Sequence, residues 1–125
     1  MSRKSLSSLL TEVELEIMNI LWGLKEGSVR DVLGKLPEER KLAYTSASTM
    51  LRILEQKEIV KSRKEGRTHI YAPILQKQDY EENTLSHLVN NVFEGTPSNL
   101  VKRLVSDETL SDSDRQQIKD ILAEL

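Results

Sequence analysis

Apolar residues recur every three or four positions through much of this chain, a spacing that predicts amphipathic helices. In the first half, start signals agree with that spacing. Thr11 has a glutamate three residues later, as in a capping box, and Ser28 has Asp31 at the same distance. Pro37 ends the second helix. Three helices are therefore predicted, beginning at Thr11, at Ser28 and between Ala43 and Thr45.

After Lys57 the pattern changes to two short strands. Ile59 and Val60 begin the first strand, a turn containing Gly66 follows, and the second strand runs from Thr68 until Pro73 ends it. An isolated hairpin is marginal in water, so it must pack on the helices. We expect this packing to use Val60, Ile70 and Tyr71. Three helices and a packed hairpin predict a winged helix-turn-helix domain over residues 1–75.

The remainder predicts three short amphipathic helices, at about residues 77–93, 97–106 and 112–124. About 50 residues with two aromatic side chains cannot easily close a stable core alone. Residues 76–125 are therefore predicted to form a helical unit that dimerises with a second copy. The fold class is mainly α, with an N-terminal winged helix and a C-terminal three-helix dimerisation unit. The predicted dimerisation residues are Leu85, Leu88, Val89, Val92, Leu100, Leu104, Ile118, Ile121 and Leu122.

The third helix has two contrasting faces. Its polar stripe of Thr45, Thr49, Arg52 and Gln56 spans about 60° of the helix circumference. The opposite stripe of Ala47, Met50, Leu51 and Leu54 must face a core. Short hydroxyl side chains allow a helix to enter the DNA major groove, and an arginine can reach a guanine edge or a phosphate. If Thr45 were the N-cap, however, its hydroxyl would bond to the helix's own backbone.

The net charge of −2 hides an uneven distribution along the chain. Residues 1–75 carry 13 Lys and Arg against 10 Asp and Glu, whereas residues 76–125 carry 5 against 10. Within 52–67 there are six cations and three acids, which places positive potential beside the polar stripe. The candidate DNA-binding residues are therefore Tyr44, Thr45, Ser46, Thr49 and Arg52 on the helix, with Arg63, Lys64 and Arg67 on the hairpin as phosphate contacts.

Several functional classes are disfavoured. The chain has no cysteine and only two histidines, His69 and His87, so neither a metal site nor a cofactor is expected. No nucleophile–base pair or Gly-rich phosphate loop indicates an enzyme. No run approaches the ~20 apolar residues of a membrane span. A cytoplasmic protein without a membrane partner is expected.

The segments LTEVELEIMNILW, SVRDVLGKL and LAYTSASTMLRILEQKEIVKSRKEGRTHIYAPIL closely resemble the penicillinase-repressor family of winged-helix regulators, which includes the BlaI, MecI and CopY types. The resemblance covers nearly the whole chain. It is strongest from Ala43 to Tyr71. It implies a dimeric transcriptional repressor that binds double-stranded DNA at a two-fold operator.

The chain also departs from the family pattern. The family's arginine position is Ile53, with the cation moved to Arg52, and the usual glycine after Lys57 is Glu58. Copper-sensing members carry paired cysteines in the tail, which this chain lacks. β-Lactam-type members are inactivated by a regulatory protease at an Asn-Phe bond. The corresponding residues here are Arg103 and Leu104, which do not match that motif.

A second hypothesis uses the same surface differently. In a winged-helix adaptor the polar stripe would dock a protein partner without DNA readout. A repressor should retain duplex DNA in a salt-dependent manner, whereas an adaptor should not.

Overall fold

The computed structural model describes residues 9–125. Within this range the chain forms six helices and one two-stranded antiparallel sheet, so the predicted winged helix with a helical tail is confirmed. In chain order the elements are α1 (Glu12–Leu24), α2 (Val29–Lys35), α3 (Tyr44–Gln56), β1 (Val60–Glu65), β2 (Thr68–Pro73), α4 (Lys77–Asn91), α5 (Pro97–Val105) and α6 (Asp112–Ala123).

Capping boxes begin the first two helices, as predicted. The Thr11 N–H donates to Glu14 Oε1 at 2.9 Å, and the Glu14 N–H donates to Thr11 Oγ1 at 3.2 Å. Ser28 and Asp31 exchange the same pair of bonds at the start of α2. Each box satisfies two N–H groups that have no partner inside the helix.

The hydrophobic core of the winged helix lies where α1, α2, α3 and the hairpin meet. The apolar spacing predicts that α1 buries Val13, Ile17, Ile20, Leu21 and Leu24. Val13 and Ile20 pack against the core but, like Leu24, are only partly buried, while Met18 is fully buried. For α2 the same spacing predicts a buried face of Val29, Val32, Leu33 and Leu36, but Leu33 and the C-cap residue Leu36 are only partly buried. The fully buried side chains are Ile17, Met18, Leu21, Val32, Ala47, Leu51 and Leu54, with Ile59 and Val60 each 1% exposed.

The hairpin packs on the helices largely as expected. Val60 and Tyr71 are buried, and Ile70 is partly buried. Gly66 has φ +63° at the turn, a backbone conformation that favours glycine. Tyr71 and Gly27 exchange two backbone hydrogen bonds of 2.8 and 2.9 Å, which attach the hairpin to the segment before α2.

The first residues of α4 belong to the winged-helix unit. The hydroxyl of Tyr80 accepts a hydrogen bond from the Leu10 N–H at 3.1 Å. Its ring centroid lies 5.9 Å from that of Trp22. The indole N–H of Trp22 in turn donates to the Leu75 carbonyl at 2.9 Å. The chain divides into two compact units, of which the first ends at Thr84 and the second is Leu85–Leu125.

The second unit has the helix starts that the sequence indicated. Pro97 occupies the first turn of α5, and the Ser111 hydroxyl accepts from the Asp114 N–H at the start of α6. The Arg115 guanidinium donates to the carbonyls of Val105 and Asp107. These bonds connect α6 to the end of α5.

Candidate nucleic-acid interface

Helix α3 presents a polar face to solvent because its buried residues lie on the opposite side. Ala47, Leu51 and Leu54 are fully buried. Met50, which we expected to face the core with them, is only partly buried at its edge. The side chains predicted to contact bases are all exposed: Thr45, Ser46, Thr49 and Arg52.

The start of α3 settles the role of one hydroxyl. Ala43 is the N-cap, and it makes no side-chain capping bond. Thr45 lies inside the first turn, so its hydroxyl is not used as the N-cap. Tyr44, the first helical residue, is 50% exposed. These positions leave the polar groups of the first turn on the surface.

The end of α3 fixes the direction of the chain into the hairpin. The Ile59 N–H donates to the Leu54 carbonyl at 2.9 Å, and the Glu58 N–H donates to the Glu55 carbonyl at 3.0 Å. This is the Schellman arrangement, which requires a left-handed residue after the C-cap. Glu58 is that residue, with φ +63°. A glycine would adopt this conformation without a Cβ penalty.

A side-chain hydrogen bond connects the hairpin to α3. The Ser62 hydroxyl, on β1, donates to Glu55 Oε2 at 2.7 Å. The contact is short and involves a charged acceptor, so it is among the stronger side-chain bonds. It fixes one strand of the hairpin against the side of the helix that adjoins the polar stripe.

The three predicted phosphate-binding cations of the hairpin have different surroundings. Lys64 and Arg67 are exposed near the turn. Arg63 instead donates two hydrogen bonds to the Glu26 carboxylate, at 2.7 and 2.8 Å, and also contacts Glu65 at 2.6 Å. Hydrogen bonding from Arg63 lowers the pKa of Glu26. In this structure Arg63 is therefore neutralised by two carboxylates.

A small cleft of about 100 Å³ lies between the start of α2, the start of α3 and the hairpin. It brings together the side chains of Arg30, Arg67 and His69. Tyr71 also lines the cleft. Burial is the main cause that raises the pKa of its hydroxyl, so this group stays neutral near pH 7 and can donate a hydrogen bond. The full lining is Ser28, Val29, Arg30, Tyr44, Ser48, Arg67, Thr68, His69 and Tyr71.

Arg30 is a candidate residue that the sequence analysis missed. Its guanidinium carbon lies 5.5 Å from the centroid of the Tyr44 ring, within the range of a cation–π contact. The signal in the sequence was weak because Arg30 is an isolated cation on the exposed side of a short helix. Only the folded chain places it beside the first turn of α3.

Between residues 9 and 125 no group of three or more His, Cys, Asp or Glu side chains is arranged to hold a metal ion. Over the same residues no helix has the length and apolar character needed to cross a bilayer.

Comparisons with known proteins agree with this geometry. The model of the family described as "Penicillinase repressor" matches residues 10–124. The chain belongs to the penicillinase repressor family. It is similar to the penicillinase repressor of Staphylococcus aureus, with 23% identity over 93% of this chain and 92% of the relative. Membership of this family makes the protein a transcriptional repressor and not an enzyme.

Solved structures support the winged-helix assignment of this penicillinase repressor family member. The solution structure of the DNA-binding domain of the repressor BlaI is 28% identical, with a TM-score of 0.51, and the match covers 57% of this chain and 87% of that one. A monomeric form of Bacillus licheniformis BlaI in complex with the blaP half-operator is 27% identical, with a TM-score of 0.50, over 58% and 89% of the two chains.

The tail of this family member leaves much apolar surface uncovered. Among the predicted dimerisation residues Val89 is buried, whereas Leu88, Leu100 and Ile118 are partly buried. The others are exposed, namely Leu85 (51%), Val92 (61%), Leu104 (45%), Ile121 (63%) and Leu122 (51%). Arg103 and Leu104, where the family's cleavage motif is not matched, lie within α5.

Proposed function

We propose that this protein is a sequence-specific DNA-binding repressor that acts as a homodimer on a two-fold operator in the cytoplasm. The observation that carries the proposal is the exposed polar face of α3. This face points to solvent because the residues on the opposite side of the helix are buried in the core. In the similar BlaI complex a winged-helix protein is bound to a half-operator. By that likeness α3 is the element that enters the major groove.

The residues of α3 divide into two proposed roles. Thr45, Ser46 and Thr49 are short enough for the helix to approach base edges, and Arg52 can donate to guanine acceptors. Tyr44, which is 50% exposed, lies at the edge of this surface, where its hydroxyl can donate to a phosphate. Base contacts specify sequence, whereas phosphate contacts position the protein.

The cations around α3 are proposed as phosphate contacts. Lys64 and Arg67 are exposed on the hairpin, and Arg30 lies beside the start of α3. Arg63 can join them only after its bonds to Glu26 and Glu65 open. Each subunit therefore offers three or four cations for contacts with phosphates.

The number of phosphates that can be neutralised favours two subunits on one duplex. With three or four cations in each subunit, a dimer neutralises roughly six to eight phosphates, and its affinity falls about 10³-fold or more between 50 and 200 mM salt. The tail supplies the proposed dimer contact because several of its apolar side chains are exposed, and two of them, Ile121 and Val92, are more than half exposed. Burying such residues against a second copy would remove them from water.

The test compares two arginines on two kinds of DNA. Arg52→Ala should weaken binding to a selected operator while leaving binding to a random duplex nearly unchanged. Arg67→Ala should weaken both about equally. Lys35→Ala is the matched control because it removes an exposed cation from the far end of α2. Affinities are measured by fluorescence anisotropy at several salt concentrations.

Two outcomes would contradict the proposal. Equal losses on both duplexes for Arg52→Ala would refute its role in base readout. If the wild-type protein showed no salt-dependent retention of any duplex, the winged-helix adaptor would be favoured instead.

A further inference from the structure

One residue on the proposed reading face of α3 is apolar. Ile53 is 37% exposed and does not belong to the hydrophobic core cluster. It lies one turn after Thr49, so the two side chains are separated by about 40° around the helix axis. Ile53 also follows Arg52 directly, at the edge of the polar stripe.

Exposed apolar residues are common, so exposure alone assigns no role to Ile53. Its position is more informative. The neighbouring exposed positions on this face, Thr49 and Ser46, are those proposed to meet base edges. If α3 enters the major groove with Thr49 toward the bases, Ile53 enters with it. Its side chain has no hydrogen-bonding group, so it cannot contact a base through a donor or an acceptor.

Only one base offers an apolar group in the major groove. Thymine carries a C5-methyl group there, and apolar side chains contact it in direct readout. We propose that Ile53 is a specificity-determining residue that packs against a thymine methyl in each half of the operator. This inference rests on the proposed function. It adds a methyl contact to the hydrogen bonds from Arg52 and the hydroxyl residues.

The test removes the methyl group from the DNA and the side chain from the protein separately. A duplex is first recovered from a random library with the full-length wild-type protein. Each thymine of the two half-sites is then replaced by deoxyuridine, which lacks only the methyl group. Every duplex carries one such replacement. In each half-site, replacing one particular thymine should lower the affinity of the wild-type protein about fourfold, as expected for removing one buried methyl group.

The protein variants identify which side chain meets that methyl group. Ile53→Ala should bind the thymine duplex more weakly and should no longer distinguish thymine from deoxyuridine at that position. Ile53→Val should keep most of the discrimination. Ile74→Ala is the matched control because Ile74 is 46% exposed and follows the hairpin rather than lying on α3. It should behave as wild type.

Three results would overturn the inference. Wild-type protein could be insensitive to deoxyuridine at every thymine, or Ile53→Ala could remain as sensitive as wild type. Thr49→Ser could also lose the discrimination between thymine and deoxyuridine while Ile53→Ala keeps it, which would assign the methyl contact to Thr49. In each case an Arg52-dependent sequence preference would leave the proposed function standing. If the library yielded no preferred duplex, both proposals would fail.

Discussion

The ammonium nitrogen of Lys57 lies 2.9 Å from Oε2 of Glu14 and joins the end of α3 to the first turn of α1. Glu14 is only 4% exposed. Burial raises the pKa of its carboxyl, but hydrogen bonds from Thr11 and Lys57 outweigh that effect, so the pKa lies below its ordinary value of 4.5. The pair therefore holds the proposed reading helix against the first helix.

We expect this ion pair to stabilise the winged-helix unit. Lys57→Met leaves the buried carboxylate without its cation and should lower the free energy of unfolding by about 1–3 kcal/mol. Urea unfolding followed by the fluorescence of Trp22, the single tryptophan, measures the change. Lys41→Met, which removes an exposed lysine, should leave the stability almost unchanged. Equal stability of the two variants would contradict the assigned role.

The same pair predicts a dependence on pH. Because the pKa of Glu14 is lowered in the folded protein, its contribution is fully present above pH 4.5 and is lost as the pH falls through the folded-state pKa. The stability difference between wild type and Glu14→Gln should therefore be constant near neutral pH and shrink in acid. A difference that grows in acid would show that the carboxylate does not stabilise the fold.

Glu58→Gly should stabilise the protein. Glu58 has φ +63°, which costs a residue with a Cβ roughly 1 kcal/mol relative to glycine. The melting temperature should rise by several degrees, while DNA affinity should stay unchanged because Glu58 lies beyond α3. Glu38→Gly, an exposed loop substitution, provides the comparison. A lower melting temperature for Glu58→Gly than for wild type would contradict the prediction.

Local signals explain why so much of the fold could be predicted from the sequence. Each capping box, at Thr11 and at Ser28, joins two residues only three positions apart, and the faces of α3 follow from its periodicity. Long-range pairs leave no such pattern. Arg63 and Glu26 are 37 positions apart, so their bond became visible only in the folded chain. The contact between Arg30 and Tyr44 is also distant in sequence, so it could not be predicted either. The burial of Met18 was not predicted because no local pattern marks this residue.

The bond between Arg63 and Glu26 predicts a gain in DNA affinity. Replacing both acids, as Glu26→Gln with Glu65→Gln, should remove both ion pairs of Arg63 and allow it to contact a phosphate. The plot of log affinity against log salt should steepen by about 0.9 for each added phosphate, and so by about 1.8 for a dimer. Glu38→Gln with Glu39→Gln, which removes two exposed acids outside the candidate surface, changes the net charge equally. The same slope in both variants would show that Arg63 stays off the DNA.

The exposed tail residues predict a dissociable dimer. Ile121 is 63% exposed, and Ile121→Asp would place a charge in the proposed subunit contact. Sedimentation at micromolar concentration should give a dimer for wild type and a monomer for this variant, with much weaker operator binding. Ile74→Asp provides a matched substitution in the first unit. A wild-type monomer, or a dimeric Ile121→Asp variant, would refute this assignment.

A hydroxyl-radical footprint on a duplex selected from the source genome tests the central claim most directly. Two α3 helices related by a dyad should protect two equivalent segments whose centres lie about 34 Å apart, one helical turn of DNA. Both segments should lose protection together as the salt concentration rises. A single protected segment without a dyad, or no protection at low salt, would contradict the account.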